Sequence, residues 1–356
     1  MIRLVQRGRE PRWLVPVLAF AVLLVTYVLT AAMIRGAGAN PLAVYQRYLI
    51  TPLGTKTSVG EVLLVATPLM FTGLSVAIAF RAGFYNIGAE GQFLAGAVAA
   101  TFVGITFKEL AAPVAIPLVF AAGAAGGAAW VVVPALLRAR FRIDEVVTTL
   151  LLNPVALLSV QGLLNGPWRN RKTHFPESEK IGAGYVLPHV IPNTRVHLGF
   201  AVAVAIAIVM WVVVGRTPIG LRLRAVGLAP AAARFNGVQV ERTLLGAALV
   251  SGAIAGLGGA SQVAGLQGQL TGEISAGFGY TGIVVATLAA LSSYGVVLVA
   301  AVLADILVGA ESTSRALQLP PQMGQVVTAT VLLVTVSVSV LRRYRLRFAL
   351  PRMRPR

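Results

Sequence analysis

Apolar runs of about 18–22 residues recur from one end of this 356-residue chain to the other, each long enough to cross a ~30 Å hydrocarbon core as a helix. The chain therefore reads as an all-α integral membrane protein of about ten transmembrane helices. Spans are expected near 13–34, 60–80, 88–107, 113–137, 146–165, 199–215, 243–264, 281–292, 295–311 and 324–341. The eighth and ninth of these are shorter than a full crossing needs. Only 12% of the residues are charged, and the mean hydropathy is +0.80, far above the soluble average. The first run follows the basic leader MIRLVQRGREPR and exceeds the ~7–15 apolar residues of a signal peptide, so it reads as a retained span.

A net charge of +18 would suit nucleic acid, but its placement suits topology better. Arginines cluster at the N-terminus, at 138–142, at 216–242 and in the last fifteen residues, and short Lys/Arg-rich loops stay in the cytoplasm. All four clusters fit one side if the number of spans is even. The expected plan is a cytoplasmic basic N-terminus over 1–12, a transmembrane domain over 13–341 and a cytoplasmic basic tail over 342–356. No nucleic-acid motif accompanies the charge, so no nucleic-acid partner is expected. Within the domain, 166–198 is the longest polar stretch and is placed outside, although Arg169, Arg171, Lys172, Lys180 and Arg195 run against the positive-inside rule. The chain has no cysteine, and its three histidines share that one loop, so neither a metal centre nor a catalytic site is expected.

The sharpest motif is FRAGFYNIGAEGQ, 80–92, which puts Arg81, Asn86, Glu90, Gln92 and three glycines between two spans. A carboxylate in a span costs ~2.5–3.5 kcal/mol on insertion scales, so Glu90 is expected either to face a transport path or to steady a helix start, paired with Arg81. Asn86 and Gln92 offer donors and acceptors suited to a neutral polyhydroxy or heterocyclic ligand. AGFYNIG (82–88) is echoed by AGFGYTG (276–282). With the first at the inner end of one span and the second just before another on the outside, the echo suggests an inverted repeat with glycine-broken segments. Asn153 next to Pro154 either lines the path or satisfies backbone freed by the proline, and Asp305 reads as a polar contact between helices as readily as a functional group.

The basic stretch 215–242 is expected to form two short helices, Ile219 to Val226 and Pro230 to Asn236, with a break at Gly227 and Gly237 closing the second. Such helices at the inner face suit docking of a separate motor protein; a basic loop on anionic headgroups is the alternative.

FRAGFYNIGAEGQFLAGA, DEVVTTLLLN, GLRLRAVGLAPAAARFNGV and GFGYTGIVVA together resemble the permease subunits of bacterial ABC importers, over roughly residues 40–340. The simple-sugar and nucleoside branch, related to the ribose and branched-chain amino acid permeases, is the nearest in pattern. The resemblance implies a multi-pass inner-membrane subunit with both termini cytoplasmic, pairing with a second homologous permease. It also implies a cytoplasmic ATPase with two fused nucleotide-binding halves, holding the ATP and Mg, and an extracytoplasmic substrate-binding lipoprotein. No cofactor is expected in this chain, which lacks the G-x-x-x-x-G-K-[ST] phosphate cradle. On this reading Phe84, Asn86, Glu90, Gln92, Asn153, Phe278, Tyr280 and Thr281 are the candidates for the substrate path, and Gly220, Arg224, Ala225, Gly227, Ala231, Ala232 and Gly237 for coupling to the ATPase. The form N-I-G-x-E-G-Q leans toward nucleosides, with a monosaccharide as the alternative. The chain departs from the pattern where members commonly carry Asn (Ala229), Tyr after the Asn (Pro154), Asp after G-F-G-[FY] (Thr281) and L-L-G (Leu288-Ala289-Ala290). Two other classes remain open: an ion-coupled secondary transporter using Glu90 and Asp305, and a membrane-embedded enzyme, for which a site is hard to assemble.

Overall fold

A computed structural model describes residues 2–6, 14–36, 38–317, the positions 326, 329, 330, 333 and 334, and 344–348. The described residues fall into two compact units, Thr55–Ala304 and a smaller one made of Met1–Gly54 with Asp305–Arg356. Twelve helices run in order among them: α1 Leu14–Gly36, α2 Pro41–Leu49, α3 Lys56–Arg81, α4 Ala89–Thr106, α5 Ala112–Phe141, α6 Glu145–Asn165, α7 Leu198–Arg216, α8 Pro218–Leu228, α9 Pro230–Phe235, α10 Val240–Gln262, α11 Phe278–Leu288 and α12 Ser293–Leu317. Seven of them, α3 to α7, α10 with the π-helical turn that follows it, and α12, are long and apolar enough to cross a membrane. The expected spans thus become helices nearly residue for residue, with two corrections. The ninth is not short, since α12 has 25 residues, and the eighth is displaced toward the N-terminus, since α11 covers 278–288 and 289–292 are non-helical. Most of the tenth expected span, 324–341, lies outside the described residues.

The smaller unit adds two elements that no apolar run signals. Strands β1, Ile2–Gln6, and β2, Tyr344–Phe348, pair antiparallel. Helix α2 starts at Asn40, whose side chain accepts from the Leu42 N–H at 3.0 Å. It buries Val44 and Tyr48 with Ile34 and Ala310 while leaving Leu42 and Leu49 exposed.

The larger unit is packed on glycine. Lipid tails are as apolar as side chains, so membrane helices gain by close approach rather than by leaving water. Helices α4, α5 and α10 meet through Gly96, Gly123, Gly127, Gly252 and Gly256; a Cβ on Gly127 would sit 2.1 Å from the Gly252 carbonyl oxygen, and one on Gly256 would sit 2.1 Å from that of Gly123.

At one end the 166–198 stretch folds into an ordered cap rather than a free loop. Its backbone bonds to the chain after α10, with Ser178 N donating to Leu270 O at 2.9 Å, Ile181 N to Gly268 O at 3.0 Å and Leu187 N to Ala264 O at 3.0 Å. Ile181, Tyr185 and Leu187 are buried beneath it. Part of the charge that strained the positive-inside rule is balanced there, as Arg195 pairs with Glu61 and Glu179 with Lys108. His197 is buried in the cap, its Nδ1 accepting from Gly199 N at 3.1 Å and its ring packed on Gly265. Burial first, then the neighbouring His189, lowers its pKa to about 4 from 6.5. Because the folded state binds the proton less readily than the unfolded one, the cap is at full stability above about pH 6.5 and weakens as the pH falls toward 4, by roughly 3 kcal/mol in all. Limited proteolysis of the purified protein in detergent is expected to cut within 166–198 faster at pH 5 than at pH 7.5, and His197→Gln is expected to flatten that dependence.

Candidate substrate-path junction

The NIGAEGQ motif sits at a true helix break. Helix α3 ends at Arg81, Gly83 takes a left-handed φ of 79°, and 84–87 run without helix until α4 begins at Ala89. Backbone groups freed in a water-poor interior need partners. One stripe of α6 supplies them. Glu145, Thr149 and Asn153 are spaced by four residues and so share one face. Tyr85 N donates to Glu145 Oε1 at 3.1 Å, Ile87 N to Thr149 Oγ1 at 3.1 Å, and Gly91 N to Asn153 Oδ1 at 2.9 Å, while Asn153 Nδ2 donates to Ile87 O at 2.9 Å. Glu145 is itself paired with Arg138 Nε at 3.0 Å. The motif glycines let α6 come this close: a Cβ on Gly88 would lie 3.0 Å from the Thr149 side chain, and one on Gly91 3.1 Å from Asn153 Oδ1.

The two amides lock the other side. Asn86 Nδ2 donates to Gln92 Oε1 at 2.8 Å and to Ser251 Oγ at 2.9 Å; Asn86 Oδ1 accepts from Gln92 Nε2 at 2.9 Å and from Gly88 N at 2.9 Å. Both donors and both acceptor positions of Asn86 are thereby in use. Ser251 passes the network on to the Ser75 carbonyl at 2.7 Å. Ser251 lies eleven residues, about 16 Å, into α10, and Asn153 eight residues, about 12 Å, into α6, so the break is well inside the helix bundle.

Glu90 is where the two motif copies meet. Its Oε2 accepts from Gly279 N, in the first turn of α11, at 2.7 Å. The carboxyl group thus stands between the N-termini of α4 and α11, whose positive dipole ends both face it. Gly279 permits the contact, since a Cβ there would sit 2.2 Å from Glu90 N. Thr72 of α3 donates to Phe278 O at 2.9 Å, and the Phe278 ring lies 6.0 Å from that of Phe93. From this junction α4 runs toward the cap, where Gly182 N donates to Gly104 O at 3.0 Å, and α11 runs toward the end of α3. Two helices leaving one junction in opposite directions is the arrangement an inverted repeat produces. Residues 276–282 are seated on the start of α4 there, not apart from it. Nor does Glu90 pair with Arg81, whose Nε donates to Leu291 O at 2.8 Å.

Of the sequence-nominated path residues, Phe84, Asn86, Glu90, Gln92 and Asn153 are buried, Phe84 in an apolar cluster with Val131 and Ala248. Phe278 and Thr281 are half-buried, and Tyr280 is exposed beside them. Sequence reasoning passed over Glu145, Thr149 and Ser251; the four-residue spacing from Glu145 to Asn153 was the available signal. Asp305 is buried in α12, and its Oδ1 has no hydrogen-bond partner among the described residues.

The residues nominated for coupling lie on α8 and α9 and just after α9. Helix α8 runs through Gly227, which does not break it; the break is at Ala229, and α9 starts there without a side-chain cap. Gly227 instead serves close approach, since a Cβ on it would lie 2.2 Å from Arg81 O. Gly220 packs as closely on Val214 O, and Gly237, with φ 78°, ends α9 as expected. Ala225 is half-buried, whereas Arg224, Ala231 and Ala232 are exposed, as are Leu228 and Phe235 at 87% and 92%.

Residues 58–336 match the family model for the permease component of branched-chain amino acid transport systems. The chain belongs to that permease family. The permease is 34% identical to a glucose ABC transporter permease protein of Haloferax volcanii, over 96% of this chain and 94% of that protein. It is 33% identical to a guanosine ABC transporter permease protein of Bacillus subtilis, over 83% of this chain and 84% of that one. To a nucleoside ABC transporter permease protein of Lactococcus lactis it is 30% identical, over 90% and 89%. No solved structure matches the permease significantly. It is a multi-pass membrane transport subunit rather than an enzyme.

Proposed function

We propose that the permease forms half of the path of an ATP-driven nucleoside importer, with substrate passing the junction of α4 and α11. The observation that carries this reading is the division of labour at the junction. The amides that looked ligand-facing in the sequence are spent on holding the break, while Tyr280 stands exposed beside Phe278 and Thr281. An exposed aromatic ring with a neighbouring hydroxyl suits a base and its ribose. Base–aromatic stacking contributes ~1–3 kcal/mol, so Tyr280→Ala is expected to raise KM for guanosine uptake at least ~5-fold with little change in kcat. An unchanged KM removes Tyr280 from the path. The glucose permease relative supports a monosaccharide as the second reading. Competition of labelled guanosine uptake by excess unlabelled guanosine, but not by excess glucose, is the expected outcome; the reverse favours the sugar.

The α8–α9 pair is the proposed dock for a cytoplasmic ATPase with two fused halves, which would hold the ATP and Mg. Leu228 and Phe235 serve as its apolar anchors, with Arg222 and Arg224 beside them. On this reading both termini are cytoplasmic, the 166–198 cap faces a substrate-binding lipoprotein, and a second homologous permease stands across the path, in a bacterial inner membrane. Affinity purification from native membranes in mild detergent, followed by mass spectrometry, is expected to recover the ATPase and second permease. Gly227→Val is expected to leave ATP hydrolysis running while uptake is lost, because the added carbons push α8 off Arg81; normal coupled uptake in that variant excludes α8 as the dock.

A further inference from the structure

We infer that Arg81 is the positioning residue that carries movement of the α8–α9 pair to α11, and so to the substrate junction; this rests on the docking reading above. Three contacts in series place it there. The Arg81 carbonyl and Gly83 lie directly under Gly227 of α8, with no room for a side chain between them. The same residue's Nε donates to Leu291 O at 2.8 Å, just beyond the C-terminus of α11. The other end of α11 is held at Glu90 through Gly279 N at 2.7 Å.

Helix α11 is built to respond. It has 11 residues and is bounded by left-handed backbone at both ends, Gly277 at φ 79° before it and Ala290 and Leu291 at φ 49° and 59° after it. Glycine takes that conformation freely, but alanine and leucine hold it at a cost of roughly 1–2 kcal/mol each. Two such residues in succession make a turn that persists because its surroundings hold it. Within the turn Leu291 N donates to Ala286 O at 2.8 Å, and the Arg81 guanidinium supplies the hold from outside. Arg81 has no carboxylate partner among the described residues, and both Arg224 of α8 and Tyr294 of α12 lie within its electrostatic reach. Displacing α8 therefore changes both what presses on the Arg81 backbone and the like charge beside its head group. Either change loads the Leu291 turn, and α11, only three turns long, passes it to Gly279 and Tyr280.

The chain has no cysteine, so introduced labels are unique within it, and the partner subunits are used in cysteine-free form. Nitroxide pairs Ile219→Cys with Ser159→Cys, reporting α8, and Thr287→Cys with Ser159→Cys, reporting α11, are measured in the complete complex with ATPase and second permease, at rest and trapped with ATP and vanadate. With Arg81 present both distances are expected to change on trapping. In Arg81→Gln the α8 distance changes as before while the α11 distance keeps its resting value, and uptake falls at least ~10-fold with ATP hydrolysis retained. Arg81→Lys, which keeps one donor for Leu291 O, is expected to restore part of the α11 change, which a variant that merely misfolds would not do. Full α11 movement in Arg81→Gln overturns the relay. So does movement of α8 without α11 when Arg81 is present, with docking left standing. An α8 distance that never changes overturns the docking reading, and the relay with it.

Discussion

Asn153→Leu is expected to prevent the permease from accumulating in a folded form, although leucine is the more membrane-friendly residue by any hydropathy measure. Asn153 answers two backbone groups of the broken segment at once, Gly91 N and Ile87 O, both at 2.9 Å. Leucine fills the space and leaves a buried donor and a buried acceptor unpaired, at ~1–3 kcal/mol each, so a loss of roughly 2–6 kcal/mol is expected. Thr149→Val is the graded comparison: nearly the same shape, one lost partner for Ile87 N, and about half the effect. Fluorescence-detected size exclusion and thermal unfolding in detergent measure both. A stable Asn153→Leu protein would mean that the break is held by something other than the α6 stripe.

The second large effect is expected at the glycine contacts. Gly256→Val would drive a β-branched side chain into the backbone of α5, where even a Cβ meets Gly123 O at 2.1 Å. Backbone on both sides leaves little to relax, so more than ~3 kcal/mol is lost and α4, α5 and α10 part. Gly246→Val on the same helix α10 is the control, since that glycine is exposed with nothing within 4 Å and the substitution is expected to be neutral. Equal expression of the two variants would contradict the packing account.

How much of this was readable beforehand follows from the kind of signal each feature leaves. Span positions are written in apolar length, which needs no knowledge of partners, and α3 to α7 and α10 fall where the runs predict. The break at 82–88 announces itself through Asn, Glu and Gln among glycines. Its means of support does not: Glu145, Thr149 and Asn153 sit some sixty residues away, and only their four-residue spacing hints at a common face. Asn86 and Gln92 looked like ligand groups because an unpaired amide in a membrane begs for a partner, and each proved to be the other's. Gly227 looked like a break because glycine weakens helices, yet the physical need there is for a missing side chain under Arg81. Ala290 turns out to occupy a left-handed position, so Ala290→Gly is expected to stabilise the fold by about 1 kcal/mol, measurable as a raised Tm.

The most direct test of the account is labelled-guanosine uptake into proteoliposomes holding the complete complex, with ATP inside or outside the motor compartment and all ion gradients dissipated. Uptake that requires hydrolysable ATP on the motor side and the lipoprotein on the other, and that ionophores leave unchanged, is what the account predicts. Uptake by the permease alone that follows a proton or sodium gradient and ignores ATP would contradict it, and would return Glu90 and Asp305 to the role of ion-coupling carboxylates.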